Sequence, residues 1–295
     1  MTRASDSSRS PARITPQDFA YLRELMHKRA GIALEPGKEY LAETRLAALA
    51  LQERYGTLEA LLESLHTEGE RGDLHRRVVE ALAISETSFF RDLHPFEALR
   101  RTILPERIAL RTPDRCINLW SAACSSGQEP VSMAMVVREH FPQLIAGGAR
   151  LIASDLSLSL LTRARTGRFT QIEVNRGLPA PLLVKYFAQR DNDWQVRDEL
   201  LRMIEFRELN LTTNWPQLPP MDVIFLRNVL LYFDVATRRE VLQRVARTLR
   251  PDGYLVLGGG ETTLTLDESY EPVQFGKTVC YRLTEPARAR LRKAG

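Results

Sequence analysis

Beyond residue 110 the chain alternates short apolar runs with longer helical stretches, and this alternation constrains its fold more than any other feature. CINLWSA (116–122), ARLIASD (149–155), MDVIFLRN (221–228) and GYLVLGG (253–259) have the character of buried parallel strands. Between them lie helical stretches over 128–141, 157–166 and 235–249. Ser157 and Asp234 stand as N-caps, Gly167 as a stop and Pro251 beyond an end. Strands alternating with helices predict an α/β fold with a doubly wound, mostly parallel sheet. PVQF and TVCYRL, joined by Gly276 and Lys277, read as a closing hairpin. Residues 168–206 interrupt the alternation and read as a small inserted β-subdomain.

The preceding stretch has a different texture. TPQDF offers Thr15 as N-cap, Pro16 at the first helical position and Asp18 near the helix N-terminus. Phe19, Leu22, Leu25 and Met26 then recur at helical spacing. Leu41, Leu46 and Leu49 suggest a second helix, Leu58, Leu61, Leu62 and Leu65 a third opened by Thr57, and Val78, Val79 and Leu82 a fourth. The predicted order is therefore a disordered leader over 1–13, a small all-α domain over 14–83 and a connecting segment over 84–110. The sheet domain follows over 111–285, and a basic tail over 286–295.

Composition narrows the function. The apolar share of 44% and charged share of 26% are those of a soluble globular protein. No apolar run reaches membrane-spanning length, and the leader lacks the apolar core of a secretory signal. The net charge of +4 is small, and ARARLRKAG alone supplies Arg288, Arg290, Arg292 and Lys293. No basic stripe with interleaved aromatics is present, so nucleic acid is not an expected partner. Three scattered cysteines (Cys116, Cys124, Cys280) suggest neither a disulfide framework nor a metal site and fit a reducing cytoplasm. Cys116 and Cys280 read as strand-core residues, and Cys124 as a small residue where bulk would clash. His27, His66, His75 and His140 fall in helical stretches without clustered ligands, and His94 reads as a local hydrogen-bonder. No metal is implied.

In a doubly wound sheet, ligands bind outside the carboxyl ends of the strands. That rule selects SAACSSGQEP (121–130), whose small residues allow close backbone approach. It also selects Asp155, an acid placed to hold ribose hydroxyls or to cap the next helix. LNL (209–211) and LRNVLLYF (226–233) complete the set. The first loop has one glycine rather than the three of a dinucleotide fingerprint, which disfavours a pyrophosphate. A nucleoside cofactor without one, such as S-adenosylmethionine, fits better. Trp120 reads as core under the loop, the glycines of GGGETT (258–263) as backbone passing near the site, and Glu261 as a cap for the next segment.

SETSFFRDLHPF (85–96), WSAACSSGQEP, ASDLS, NL and FLRNVLLYF, in that order, resemble the chemotaxis receptor methyltransferases, the CheR family. The resemblance implies a class I methyltransferase-like sheet domain behind a small helical receptor-recognition domain. It implies S-adenosyl-L-methionine as cofactor, S-adenosyl-L-homocysteine as product, and glutamates of the chemoreceptor cytoplasmic helical bundle as methyl acceptors. The cofactor contacts it implies are Ser85, Thr87, Arg91, Glu129, Asp155, Asn210, Leu211, Arg227 and Asn228. The 84–96 segment would cover the cofactor, anchored by Phe89 and Phe90, with Arg91 facing the site. By analogy Arg23, Lys28, Arg29, Arg45 and Arg54 would meet the receptor's acidic methylation region. Two positions depart from the pattern: Ser85 replaces a common asparagine, and Gln128 a common acid. YFAQRDNDWQVRDEL lacks the glycine-rich loop of members that bind a receptor's C-terminal peptide, so independence from that tether is expected.

A glutamate nucleophile has a reference pKa of about 4.3 and is ionised at neutral pH, so no general base is required. Rate then comes from orientation. Arg91, with Tyr232, is the expected guide for the substrate carboxylate. Arg227 shares in this or holds the cofactor's own carboxylate. A cytoplasmic monomer, not inserted in a membrane, is expected. Two alternatives stay open: a non-catalytic receptor- or nucleoside-binding module of this fold, and a methyltransferase for RNA or a small molecule.

Overall fold

The computed structural model describes residues 13–69, 72–112 and 115–294, with side chains through residue 290; leader residues 1–12 lie outside this range. The chain divides between Ile84 and Ser85 into two compact units.

The first unit is built of α1 (Pro16–Ala30), α2 (Glu39–Gln52), α3 (Leu58–Thr67) and α4 (Asp73–Leu82). Thr15 caps α1 by accepting from the Asp18 N–H at 3.1 Å, and Gly31 ends it at φ 66°, where a side chain would be strained. Thr57 caps α3 in the same way. Leu22, Met26, Leu46, Leu61, Leu65 and Val78 have no exposed surface and form the centre of the bundle. His75 is buried among them, its Nε2 at 2.8 Å from the Tyr21 hydroxyl. Arg45 donates to the carbonyls of Leu82 and Ala83 at the end of α4, which gives it a capping contact besides any partner role.

The second unit opens with α5 (His94–Ala98), a π-helical turn (Leu99–Ile103) and α6 (Leu104–Ala109). Residues 85–110, expected as a connection, belong to this unit: Phe89, Phe96, Leu99, Ile103 and Leu104 are part of its hydrophobic core. Then follow β1 (Ile117–Ala122), α7 (Gln128–His140), β2 (Ala149–Asp155) and α8 (Leu158–Thr166). Ser157 accepts from the Leu160 N–H at 3.2 Å and Gly167 stops α8 at φ 61°. Cys280 is buried, but Cys116 stands just before β1 and is only partly buried, because strand pairing begins at Ile117.

The excursion contains β3 (Arg168–Thr170), α9 (Gln171–Asn175), α10 (Ala180–Tyr186), β4 (Phe187–Arg190), β5 (Asp193–Val196) and α11 (Asp198–Leu201). Its strands form an antiparallel three-stranded sheet in the order β3-β5-β4. The excursion closes earlier than residue 206, because β6 (Ile204–Glu208) is already the edge of the main sheet. Trp194 donates to Gln171 and packs partly against the core.

The chain finishes through β7 (Met221–Leu226), a 3-10 turn (Leu230–Tyr232), α12 (Val235–Thr248), β8 (Leu249–Leu257), β9 (Tyr270–Phe275), β10 (Thr278–Leu283) and α13 (Glu285–Ala294). Asp234 caps α12 by accepting from the Thr237 N–H at 2.8 Å. The basic C-terminal stretch is helical rather than a free tail; Ala287 is buried and Arg288 pairs with Glu271.

The seven main strands run in the order β6-β2-β1-β7-β8-β10-β9. β6, β2, β1, β7 and β8 are mutually parallel, and the β9–β10 hairpin closes the edge antiparallel to β8. The order reverses at β1 and β7. Connections leaving these strands diverge there and open a crevice at their carboxyl ends.

Candidate cofactor and substrate site

The crevice is shaped first by the turn between β1 and α7. Ala123, Ser125 and Gly127 all have positive φ (57°, 52° and 98°), so the loop doubles back tightly before the helix. A Cβ on Gly127 would lie 3.0 Å from that of Ala164, so glycine also lets α8 pack close beneath. Asp155, at the end of β2, holds this loop. Its Oδ2 accepts from the Ser125 N–H at 2.8 Å and its Oδ1 from the Ser157 N–H at 2.9 Å. Ser125 in turn donates from its hydroxyl to the Ser85 carbonyl at 2.6 Å, which ties the 85–93 segment to the loop.

A buried ion pair lies at the start of α7. Glu129, in the first turn of α7, accepts from the Ser121 hydroxyl at 2.7 Å and from Arg227 Nη1 at 3.0 Å. Arg227 Nη2 donates to the Arg91 carbonyl at 2.8 Å and to Asp92 at 2.7 Å, and its guanidinium lies 5.7 Å from the Phe96 ring centroid. Only 1% of the Arg227 side chain is exposed. The guanidinium thus fastens 85–96 to the ends of β1 and β7, and protein groups engage both of its terminal nitrogens. Arg91 directs Nη1 at the Glu86 carbonyl, 2.8 Å away, and stays partly exposed.

The segment itself is unusual in its backbone. Phe90, Asp92 and Leu93 all have positive φ (46°, 65° and 47°), which for non-glycine residues costs about 1 kcal/mol or more each. Burial of Phe89 and Phe90, edge-on contacts of Phe89 with Phe169 and Phe187, and the Arg227 bonds hold it there. Gly177 of the excursion presses on it from outside, where an added Cβ would lie 2.1 Å from the Phe89 carbonyl oxygen. Gln128, expected to be uncharged at an often acidic position, links the loop to the excursion: it accepts from Ser126 and donates to Glu173 at 3.3 Å.

The other expected residues take their places around the rim. Asn210 follows β6 and its carboxamide oxygen accepts from the N–H and hydroxyl of Thr212. Leu211 is buried, and its carbonyl accepts from Trp215 and Arg244. Asn228 adopts φ 57° immediately after Arg227, and Tyr232 ends the 3-10 turn, half-buried. Ser85 and Thr87 lie on the covering segment. Trp120 is fully buried beneath the loop, donating to Ser154 at 2.9 Å and packing edge-on against Trp215. Burial pushes the Cys124 thiol well up, with Asp155 and Glu129 adding to it, so it stays a neutral packing group.

Two contributors are not evident from the sequence. Asp92 looks like a surface acid and becomes an Arg227 partner only through folding. Glu261, expected to cap the following segment, instead reaches back to the turn after β7. The signal available was an acid just past the end of a strand adjacent to β7. Among the described residues no group of three His, Cys, Asp or Glu could hold a metal, and no helix is long and apolar enough to cross a membrane.

The acceptor at the end of β2 suits a ribose. A carboxylate oxygen can accept more than one hydrogen bond, so Asp155 can serve ribose hydroxyls while keeping its loop contacts. Comparisons with known proteins show the family of the chain. Residues 17–83 match the family description "CheR methyltransferase, all-alpha domain", and residues 85–279 match "CheR methyltransferase, SAM binding domain". Chemotaxis protein methyltransferase 1 of Pseudomonas aeruginosa is 39% identical over 270 residues, covering 90% of this chain and 97% of that protein. Chemotaxis protein methyltransferase Cher2 of Pseudomonas putida is 37% identical with the same coverage. Chemotaxis protein methyltransferase 1 of Vibrio cholerae is 35% identical, covering 92% of this chain and 98% of its own length.

Proposed function

The chain belongs to the CheR methyltransferase family and binds S-adenosylmethionine, and from that premise we propose that it methylates glutamate side chains of chemoreceptor cytoplasmic domains. The observation that supports this most directly is the pair of family matches over 17–83 and 85–279, with the second spanning the whole crevice. The cofactor supplies a sulfonium-bound methyl group, an electrophile that needs no further activation. What remains for the protein is orientation, since a glutamate carboxylate is ionised at neutral pH and no base must take a proton.

The chain's own groups fit that division of labour. Asp155 and the 121–129 loop hold the nucleoside end. The Glu129–Arg227–Asp92 cluster holds the covering segment in place, so that Ser85, Thr87 and Arg91 face the crevice from one side. Tyr232 and the turn after β7 approach from the other. Arg91 donates from Nη1 to the Glu86 carbonyl, and a swing of this partly exposed side chain would let it guide an incoming carboxylate. A tight grip would blunt the nucleophile, so a loose contact serves better.

Independence from a receptor-tethering peptide is part of this reading. β4 and β5 are joined by the two residues Asp191 and Asn192, with Arg190 paired to Asp193, and this short turn offers no glycine-rich loop. The test is methyl transfer from labelled S-adenosylmethionine to receptor cytoplasmic fragments of the same organism, with and without their C-terminal peptide. Label released as methanol by mild alkali, at equal rates from both fragments, is the expected result. Alkali-stable label would overturn carboxyl methylation, and a requirement for the peptide would overturn tether independence.

A further inference from the structure

Glu261 lies four residues beyond the end of β8, and its carboxylate is ringed by backbone donors. Oε2 accepts from the N–H of Asn228 at 2.7 Å and of Gly258 at 2.8 Å. Oε1 accepts from the N–H of Val229 at 2.9 Å, of Leu230 at 2.7 Å and, more weakly, of Leu231 at 3.4 Å. These donors need such a partner. Residues 228–231 have left β7, and Leu230–Tyr232 is a single 3-10 turn whose leading N–H groups find no acceptor within so short a helix. Asn228 is additionally held at φ 57°. The approach is close: a Cβ on Gly258 would lie 2.6 Å from Asn228 Nδ2 and 2.9 Å from its backbone nitrogen, so only glycine lets the two chain segments meet.

We infer that Glu261 is a positioning residue for methyl transfer, fixing the 227–232 turn, and with it Arg227, Asn228 and Tyr232, against the end of β8. No sheet hydrogen bond can do this, because the turn lies beyond the strand ladder, whose β7–β8 register ends at Leu226 and Leu257. A carboxylate is the one side chain that only accepts, through two oxygens with several lone pairs, and its charge strengthens each bond. An amide of the same shape would turn an NH2 group against backbone N–H. The inference rests on the proposed function in one respect, that the 227–232 turn takes part in methyl transfer.

The test compares the full-length protein with Glu261→Gln and Glu261→Asp. Four quantities are read: turnover on a receptor fragment, affinity for S-adenosylhomocysteine, the thermal midpoint, and amide hydrogen exchange at 228–231. For Glu261→Gln, turnover should fall about 100-fold while product affinity changes less than about fivefold, because the hydrogen bonds that hold Asp155 to Ser125 and Ser157 do not involve Glu261. Exchange protection at 228–231 should fall about tenfold or more in a protein that remains folded. Glu261→Asp, which keeps the charge, should recover part of both. Wild-type turnover in Glu261→Gln, equal losses of turnover and affinity, or unchanged exchange would each overturn the inference. If the wild-type protein labels no receptor fragment, the receptor reading fails, and the exchange comparison alone decides whether Glu261 fixes the turn.

Discussion

Arg227 shows how a residue's role depends on what folding brings to it. From sequence it is an arginine after an apolar run, suited to gripping a carboxylate of cofactor or substrate. In the fold its guanidinium is buried and answers Glu129, Asp92 and the Arg91 carbonyl. Removing one member of a buried ion pair leaves the other charge uncompensated. Arg227→Met should therefore destabilise the second unit by about 3 kcal/mol, read as a lower urea midpoint, and should loosen the covering segment. A loss under about 1 kcal/mol would show that Glu129 finds other partners. Local signals were legible where the chemistry is local: Thr15, Ser157 and Asp234 cap the helices that their positions predict. Asp92 and Glu261 were not, because their partners lie 135 and about 30 residues away in sequence.

At the scale of elements, the covering segment 85–96 is the decisive piece. Its aromatic pair was visible in the sequence, and so was the need to bury it. The positive φ at Phe90 and Leu93 was not, since neither residue type favours it; only Asp92 among the three is of a type enriched there. The segment holds its form because the small β-sheet excursion packs on it through Phe169, Phe187 and Gly177. Gly177→Ala should test that support: with φ at 88° and the Phe89 oxygen in the way, backbone must shift. A loss of about 1–3 kcal/mol in stability is expected, measured by thermal unfolding, together with reduced methyl transfer. An unchanged midpoint and activity would mean that the excursion yields without disturbing the segment.

Across the whole molecule, carboxylates tuned by arginine and lysine neighbours set the response to acid. Burial works to raise the Glu106 carboxyl, but the Tyr254 hydroxyl and the charges of Arg282 and Arg107 hold it below the ordinary 4.5. Lys185 and Tyr186 lower Glu139 against a smaller effect of burial. Groups with depressed native pKa values stabilise the fold above their unfolded pKa and lose that contribution as pH falls through the native value. The thermal midpoint should thus be level from neutrality down to about pH 5 and fall steeply below about 4.5. A midpoint that rises on acidification would contradict these assignments. The sequence by itself determined the alternation of β1, β2, β7 and β8 with α7, α8 and α12, the parallel sheet, the all-α domain ahead of it and the crevice loops. Each depends on periodicity, caps and turn residues that act over a few positions. Only the tertiary structure decided that 85–110 joins the core of the second unit, that Arg227 is spent on protein partners and that Glu261 holds the turn after β7. The first depends on apolar side chains that pack into one core, and the other two on charges and backbone donors that meet beyond the strand ends, where separation along the chain gives no sign of proximity in space.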